Sequence, residues 1–147
     1  MKNTMKALLL SAALTLSSVF VTACAAEGAE QPSSSHLWDN ALYTEDTELG
    51  EGKLTLAVEV AAEEKSITFT LHTDGETLGE ALLENELVSG EESEFGLYIK
   101  FVNGIEADFD KDGSYWSLSK DGEYLMQGAD STPIADGEHY ELTRVKE

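Results

Sequence analysis

Apolar and polar residues alternate in two neighbouring runs, Leu54-Leu56-Val58-Val60 and Ile67-Phe69-Leu71. Alternation at period two puts every second side chain on one face, so each run predicts a strand with one buried face. The polar stretch AAEEK between them predicts a hairpin connection. Thr77-Leu78-Gly79-Glu80 then has the spacing of a capping box. The threonine hydroxyl accepts from the Glu80 amide while the Glu80 carboxylate reaches back. Behind this box Leu78, Ala81, Leu82 and Asn85 fall on one helical face, with Leu83 and Leu87 beside it, and Gly90 is the expected stop. Leu97 to Val102 is apolar enough for a central strand, and Asn103-Gly104 predicts a two-residue hairpin turn into Ile105. Ser114 to Lys120 alternates again, Asp121-Gly122 turns, and Glu123 to Met126 pairs back. After a further turn, ADGE at 135–138, His139 to Val145 closes the chain as a strand. Strand, strand, helix and then short strands predict an α+β fold, a β-grasp-like mixed sheet with one packed helix, over residues 53–147.

Residues 1–52 follow other patterns. Lys2 and Lys6 precede an apolar run, Ala7 to Phe20, that is too short and too weakly flanked to span a bilayer. Residues 1–23 therefore read as a secretory signal. The run ends in Val21-Thr22-Ala23-Cys24, which resembles the lipobox of bacterial lipoproteins: aliphatic, small, small, cysteine. The resemblance implies that Cys24 receives lipid and becomes the mature N-terminus, since two or three acyl chains anchor a protein stably. Cys24 is also the only cysteine, so no disulfide forms within the chain. Residues 24–35 carry small and polar side chains that cannot bury a core and read as a flexible tether. Residues 36–52 mix acids with Leu37, Trp38, Leu42 and Tyr43, and read as an acidic arm laid against the domain. The expected address is the extracellular face of a bacterial cell membrane, with the membrane engaged through the lipid.

Charge narrows the partners. The chain carries a formal charge of −20, and losing residues 1–23 removes two lysines and no acid, which takes it to −22. Such a surface repels nucleic acid, anionic headgroups and phosphorylated substrates. It serves solubility outside a cell, or it attracts cations.

One acidic stretch has a chemical pattern. In ADFDKDGSYW, Asp108, Asp110, Asp112 and Gly113 occupy positions one, three, five and six of a calcium loop. Position twelve, which should be glutamate, is Ser119, and no flanking helices are legible. Two readings follow: a calcium (Ca2+) site with a dissociation constant of about 10⁻⁴–10⁻³ M, or an acidic turn between strands. His36, His72 and His139 lack zinc spacing. Ser117-Leu118-Ser119-Lys120 matches Ser-x-x-Lys, but on a strand residues three apart face opposite sides. No nucleophile has a base in a readable motif, so the chain is expected not to be an enzyme. Tyr115 and Trp116, adjacent on a strand, point to opposite faces, one free to enter the core and the other to serve as a binding platform.

The stretch SYWSLSKDGEYLMQGADSTPIADGEHYEL resembles the C-terminal β-domain of the cobalamin carriers transcobalamin and intrinsic factor. The shared marks are the Tyr115-Trp116 pair, the Asp121-Gly122 hairpin, Leu125-Met126-Gln127-Gly128-Ala129-Asp130, the Asp136-Gly137 turn and the closing strand. The stretch before it, from about Leu54, resembles transcobalamin-like domains of unknown function in bacterial lipoproteins. The resemblance implies a β-grasp-like fold and a surface for a corrinoid such as cobalamin, and it nominates Trp116, Leu118, Leu125 and Gln127 as ligand-binding residues. The carriers close their ligand between this domain and a large helical domain, which this chain does not contain. The expected function is thus a lipid-anchored extracellular binding module, with a transporter or surface-protein partner supplying the rest of the site. The alternative is a structural or protein-interaction module of the cell surface without a small-molecule ligand, with calcium as a candidate stabiliser.

Overall fold

The structure is a computed structural model that describes residues 36–147, so the signal, Cys24 and the tether fall outside the described residues. The two alternating runs form β2 (Leu54–Ala62) and β3 (Lys65–Thr73), an antiparallel hairpin with Ala62 opposite Lys65. Leu56, Val58, Val60, Ile67, Phe69 and Leu71 all point into the core, as the alternation requires. The capping box forms as predicted: the Thr77 hydroxyl accepts from the Glu80 amide, and the Glu80 carboxylate takes the Thr77 N–H. Helix α1 (Leu78–Glu84) buries Leu78, Gly79, Ala81 and Leu82.

Two expectations for this helix are corrected. Leu83 is exposed, because the buried face is only as wide as the contact below it. The helix ends at Asn85, whose side-chain amide donates to Ala81 O at 2.9 Å, and not at Gly90. Gly90 lies in a strand that the hydrophobic pattern did not predict, β4 (Val88–Ser93). A Cβ at Gly90 would stand 1.9 Å from the carbonyl oxygen of Tyr98, so the close approach of two strands, not a helix stop, requires glycine there.

Beyond β4 come β5 (Gly96–Val102) and β6 (Ile105–Glu106), joined by the Asn103-Gly104 turn with both residues at positive φ, 52° and 79°. Strands β4, β5 and β6 make a three-stranded sheet with β5 in the centre. A single helical turn, α2 (Phe109–Asp112), leads to β7 (Ser114–Lys120). The Asp121-Gly122 turn follows at φ 50° and 84°, and β8 pairs back over Glu123–Tyr124 only, shorter than expected. The closing strand β9 (His139–Lys146) inserts between β2, to which it is parallel, and β7, to which it is antiparallel.

The acidic arm begins as a 3-10 helix, His36–Asn40, and ends as β1 (Thr47–Gly50), an edge strand parallel to β3. The larger sheet therefore runs β1-β3-β2-β9-β7-β8. Its inner face packs against α1 and the smaller sheet around Phe69, Leu82, Val102, Tyr140 and Leu142. The mixed sheet with one packed helix is the β-grasp-like architecture that the sequence predicts; the second, antiparallel sheet and the short α2 are additions to it.

Asn103 fastens the arm. Its side-chain amide donates to Tyr43 O at 2.8 Å, its side-chain oxygen accepts from Tyr43 N–H at 2.9 Å, and its backbone carbonyl accepts from Leu42 N–H at 2.9 Å. Tyr43 then packs edge-on against Phe69 at 5.6 Å, and Trp38 donates to Ala62 O under the Lys65 ammonium.

Candidate ligand groove

On β7 the side chains of Trp116 and Leu118 share the inner face, two residues apart. They are half-buried against the core, as are Leu97 and Ile99 of β5. Between these strands lies a groove of about 220 Å³. Tyr98, Tyr124 and the segment Leu125–Ala129 complete its walls, and no charged side chain lines it.

The segment that closes the groove is held by short polar contacts. Leu125 N–H continues the β7 pairing by donating to Leu118 O at 2.9 Å. The Gln127 side-chain amide donates to Ser131 O at 2.8 Å, and the buried Thr132 hydroxyl donates to Gly128 O at 2.9 Å. Asp130 accepts from Leu97 N–H at 2.8 Å and so ties this segment to β5. Gly79 permits the arrangement from below, because a Cβ there would meet the Asp130 carboxylate at 2.4 Å. The Leu-x-Gln-Gly-x-Asp run therefore builds a wall, held by these contacts.

All four residues nominated for ligand binding, Trp116, Leu118, Leu125 and Gln127, line this one groove. Sequence reasoning did not find Leu97, Tyr98 and Ile99, which come from a strand read only for its burial. Trp116 Nε1 is sealed from solvent and has no hydrogen-bond partner among the described residues. An unpaired buried donor costs about 1–3 kcal/mol, and the part of Trp116 that the groove meets is therefore hydrocarbon. Tyr115 points the other way, toward the outer face of the sheet.

Of the two readings of the calcium half-loop, the acidic turn takes the form of a capped helical turn. Asp108 is the N-cap of α2 and accepts from the amides of Asp110 and Lys111 at 3.0 and 3.3 Å. Asp112 takes the Ser114 amide and hydroxyl, and its other oxygen takes the Arg144 guanidinium at 2.8 Å. The Ser114 hydroxyl, and with it Arg144, hold the Asp112 carboxyl below the usual range. Asp110 stands exposed, and Gly113 ends the turn at φ 73°. Two of the three carboxylates are thus occupied separately, and no three His, Cys, Asp or Glu side chains converge as metal ligands among the described residues.

A second polar cluster sits at the far end of β7. The buried Tyr140 hydroxyl donates to Glu138, which also receives Lys120. Burial, and then the Glu138 carboxylate, push the Tyr140 hydroxyl far above its ordinary value. Burial opposes ionisation of Glu138, but Lys120, Tyr140 and the Ala135 N–H outweigh it and hold the carboxyl low. This cluster fixes the end of β9 and does not reach the groove.

A mixed sheet with one packed helix and an uncharged groove at its edge defines a binding module of transcobalamin-like fold. The chain belongs to the family of the domain of unknown function DUF4430, whose model matches residues 75–143. It is 35% identical to a Ruminococcus gnavus ATCC 29149 protein presented as a candidate metal binding protein, with a TM-score of 0.61 over 65% of this chain and 99% of that one. It is also similar to haptocorrin in complex with Cbi, at 25% identity and a TM-score of 0.53. That match covers 63% of this chain but only 25% of haptocorrin. No curated protein matches the chain.

Proposed function

We propose that the protein is a lipid-anchored binding module on the outer face of a bacterial membrane, without a catalytic step of its own, whose groove receives one face of a corrinoid. The observation that carries this reading is the convergence of Trp116, Leu118, Leu125 and Gln127 on a single uncharged groove. The likeness to haptocorrin, a corrinoid-binding protein, supports it. The groove is smaller than the roughly 300–1,000 Å³ of a pocket that encloses its ligand. At about 220 Å³ it covers part of a large ring, and a partner supplies the second wall.

The affinity of one wall follows from its area. A flat ring pressed on the groove buries roughly 400 Å² of apolar surface, worth about 10 kcal/mol at about 25 cal/mol per Å². Association costs about 4–15 kcal/mol, which leaves a dissociation constant of tens of micromolar or weaker. Titration of the purified protein with cobinamide, followed by the absorbance of the corrin, tests the reading. Saturation in that range is expected, and a linear response into the millimolar range rejects it. Anchoring is tested separately: Cys24→Ala should leave the membrane fraction, and retention there rejects the lipid.

A further inference from the structure

Three large apolar side chains stand open at the mouth of the groove and a fourth, Phe95, in the neighbouring β4–β5 turn. Phe95 is 87% exposed, Met126 91%, Tyr124 63% and Tyr98 42%. Tyr98, Tyr124 and Met126 border the same groove, and the Phe95 carbonyl lies 3.8 Å from where a Cβ on Gly128 would stand. At about 200 Å² per aromatic side chain the cluster offers roughly 500–600 Å², at the upper end for the largest apolar patch on a monomer.

A small molecule in the groove does not account for this surface. Phe95 sits in the β4–β5 turn and lines no part of the groove. Covering it takes an extended partner. Charge sets the character of that partner. Glu92, Glu94 and Glu123, neighbours of these residues in sequence, are exposed, and none of them forms an ion pair among the described residues. An apolar centre rich in aromatics and methionine with a charged rim is the anatomy of a protein interface. A second copy would set these glutamates against each other at −20 per chain. An anionic membrane would be repelled by the same field.

We propose that Phe95, Tyr98, Tyr124 and Met126 form the apolar centre of a docking surface for a partner protein whose matching surface carries lysine and arginine around an apolar centre. The glutamates steer it and fix its orientation. The docked partner covers the mouth of the groove.

The test uses the full-length protein in the cells that make it. A photo-crosslinking phenylalanine analogue replaces Tyr124, with Thr68 on the opposite sheet face as the control position. The captured protein is identified, purified and titrated against the full-length protein. Phe95→Ser should weaken binding at least tenfold, as should the double variant Glu92→Lys, Glu94→Lys, and added salt should weaken the wild-type complex several-fold. Neither variant touches the groove, so the cobinamide titration should be unchanged in both, which separates this proposal from the corrinoid reading. Melting temperatures near wild type exclude misfolding. Capture no greater than at position 68, capture only of the chain itself or of lipid, or a partner indifferent to Phe95→Ser would overturn the proposal.

Discussion

Replacing Asn103 with alanine tests how the acidic arm is held, and through it how firmly β5 is held as a wall of the groove. Asn103 is fully buried, follows β5 directly and sits at φ 52°. Alanine removes both side-chain hydrogen bonds to Tyr43. Each is worth about 0.5–1.5 kcal/mol, and stranding its half-buried backbone partner brings the cost to about 1–3 kcal/mol. Alanine tolerates the left-handed conformation less well than asparagine, which adds up to about 1 kcal/mol. The expected loss is about 1–4 kcal/mol, a sizeable share of the roughly 5–15 kcal/mol that a domain possesses. Asn103→Gly isolates the hydrogen bonds, because glycine accepts the backbone angle without strain; its loss should be about 1–3 kcal/mol. Urea unfolding followed by circular dichroism measures both variants. Tryptophan emission at low urea, compared with that of the Trp38→Phe protein to subtract Trp116, reports the arm, since releasing it uncovers the Trp38 indole from Lys65 and Ala62. If Asn103→Gly matches the wild type in stability and in Trp38 emission, the reasoning fails, and the packing of Trp38 and Tyr43 alone holds the arm.

Three further outcomes follow from the same geometry. Glu138 has a folded pKa below its ordinary value of 4.5, so its contribution is present above that value and drains as pH falls through the lower folded one. Glu138→Gln should therefore lose about 1–3 kcal/mol at neutral pH and flatten the acid limb of a stability profile; an unchanged limb contradicts this. Gly79→Ala should drive a methyl into Asp130 and cost about 1–3 kcal/mol by overpacking, together with weaker corrinoid binding; unchanged stability would mean that the Leu125–Asp130 wall yields freely. Millimolar calcium should shift the melting temperature equally in the wild type and in Asp110→Ala, because the acidic surface is screened diffusely; a shift lost only in the variant would restore the calcium loop.

The legible parts of the fold are those where local chemistry and burial agree. The runs around Val58 and Phe69 alternate because one face meets the core. Thr77 and Glu80, Asn103-Gly104 and Asp121-Gly122 are short-range devices whose geometry is complete within a few residues. Strand β4 was hidden because all but Val88 is exposed, and β1 because its four residues include one apolar side chain, Leu49, so neither shows apolar alternation. Gly90 resembled a helix stop because its reason, the Tyr98 carbonyl, lies on another strand. The calcium spacing misled because Asp112 answers to Arg144, thirty-two residues away in sequence. For the site, resemblance reached the β7 wall and the Gln127 segment. The β5 wall depends on the Asp130–Leu97 contact, which no local pattern encodes.

The central claim is that a corrinoid lies against Trp116. The most direct measurement is the tryptophan emission of the Trp38→Phe protein, which leaves Trp116 as the one indole, during titration with cobinamide. Absorbance by the corrinoid is corrected with a free tryptophan derivative. Saturable quenching with a midpoint of tens of micromolar or weaker, matching the absorbance titration, is the predicted result. Saturation in absorbance with unquenched Trp116 would place the ligand outside the groove, and no saturation by either signal, with the fold intact, would contradict the corrinoid reading altogether.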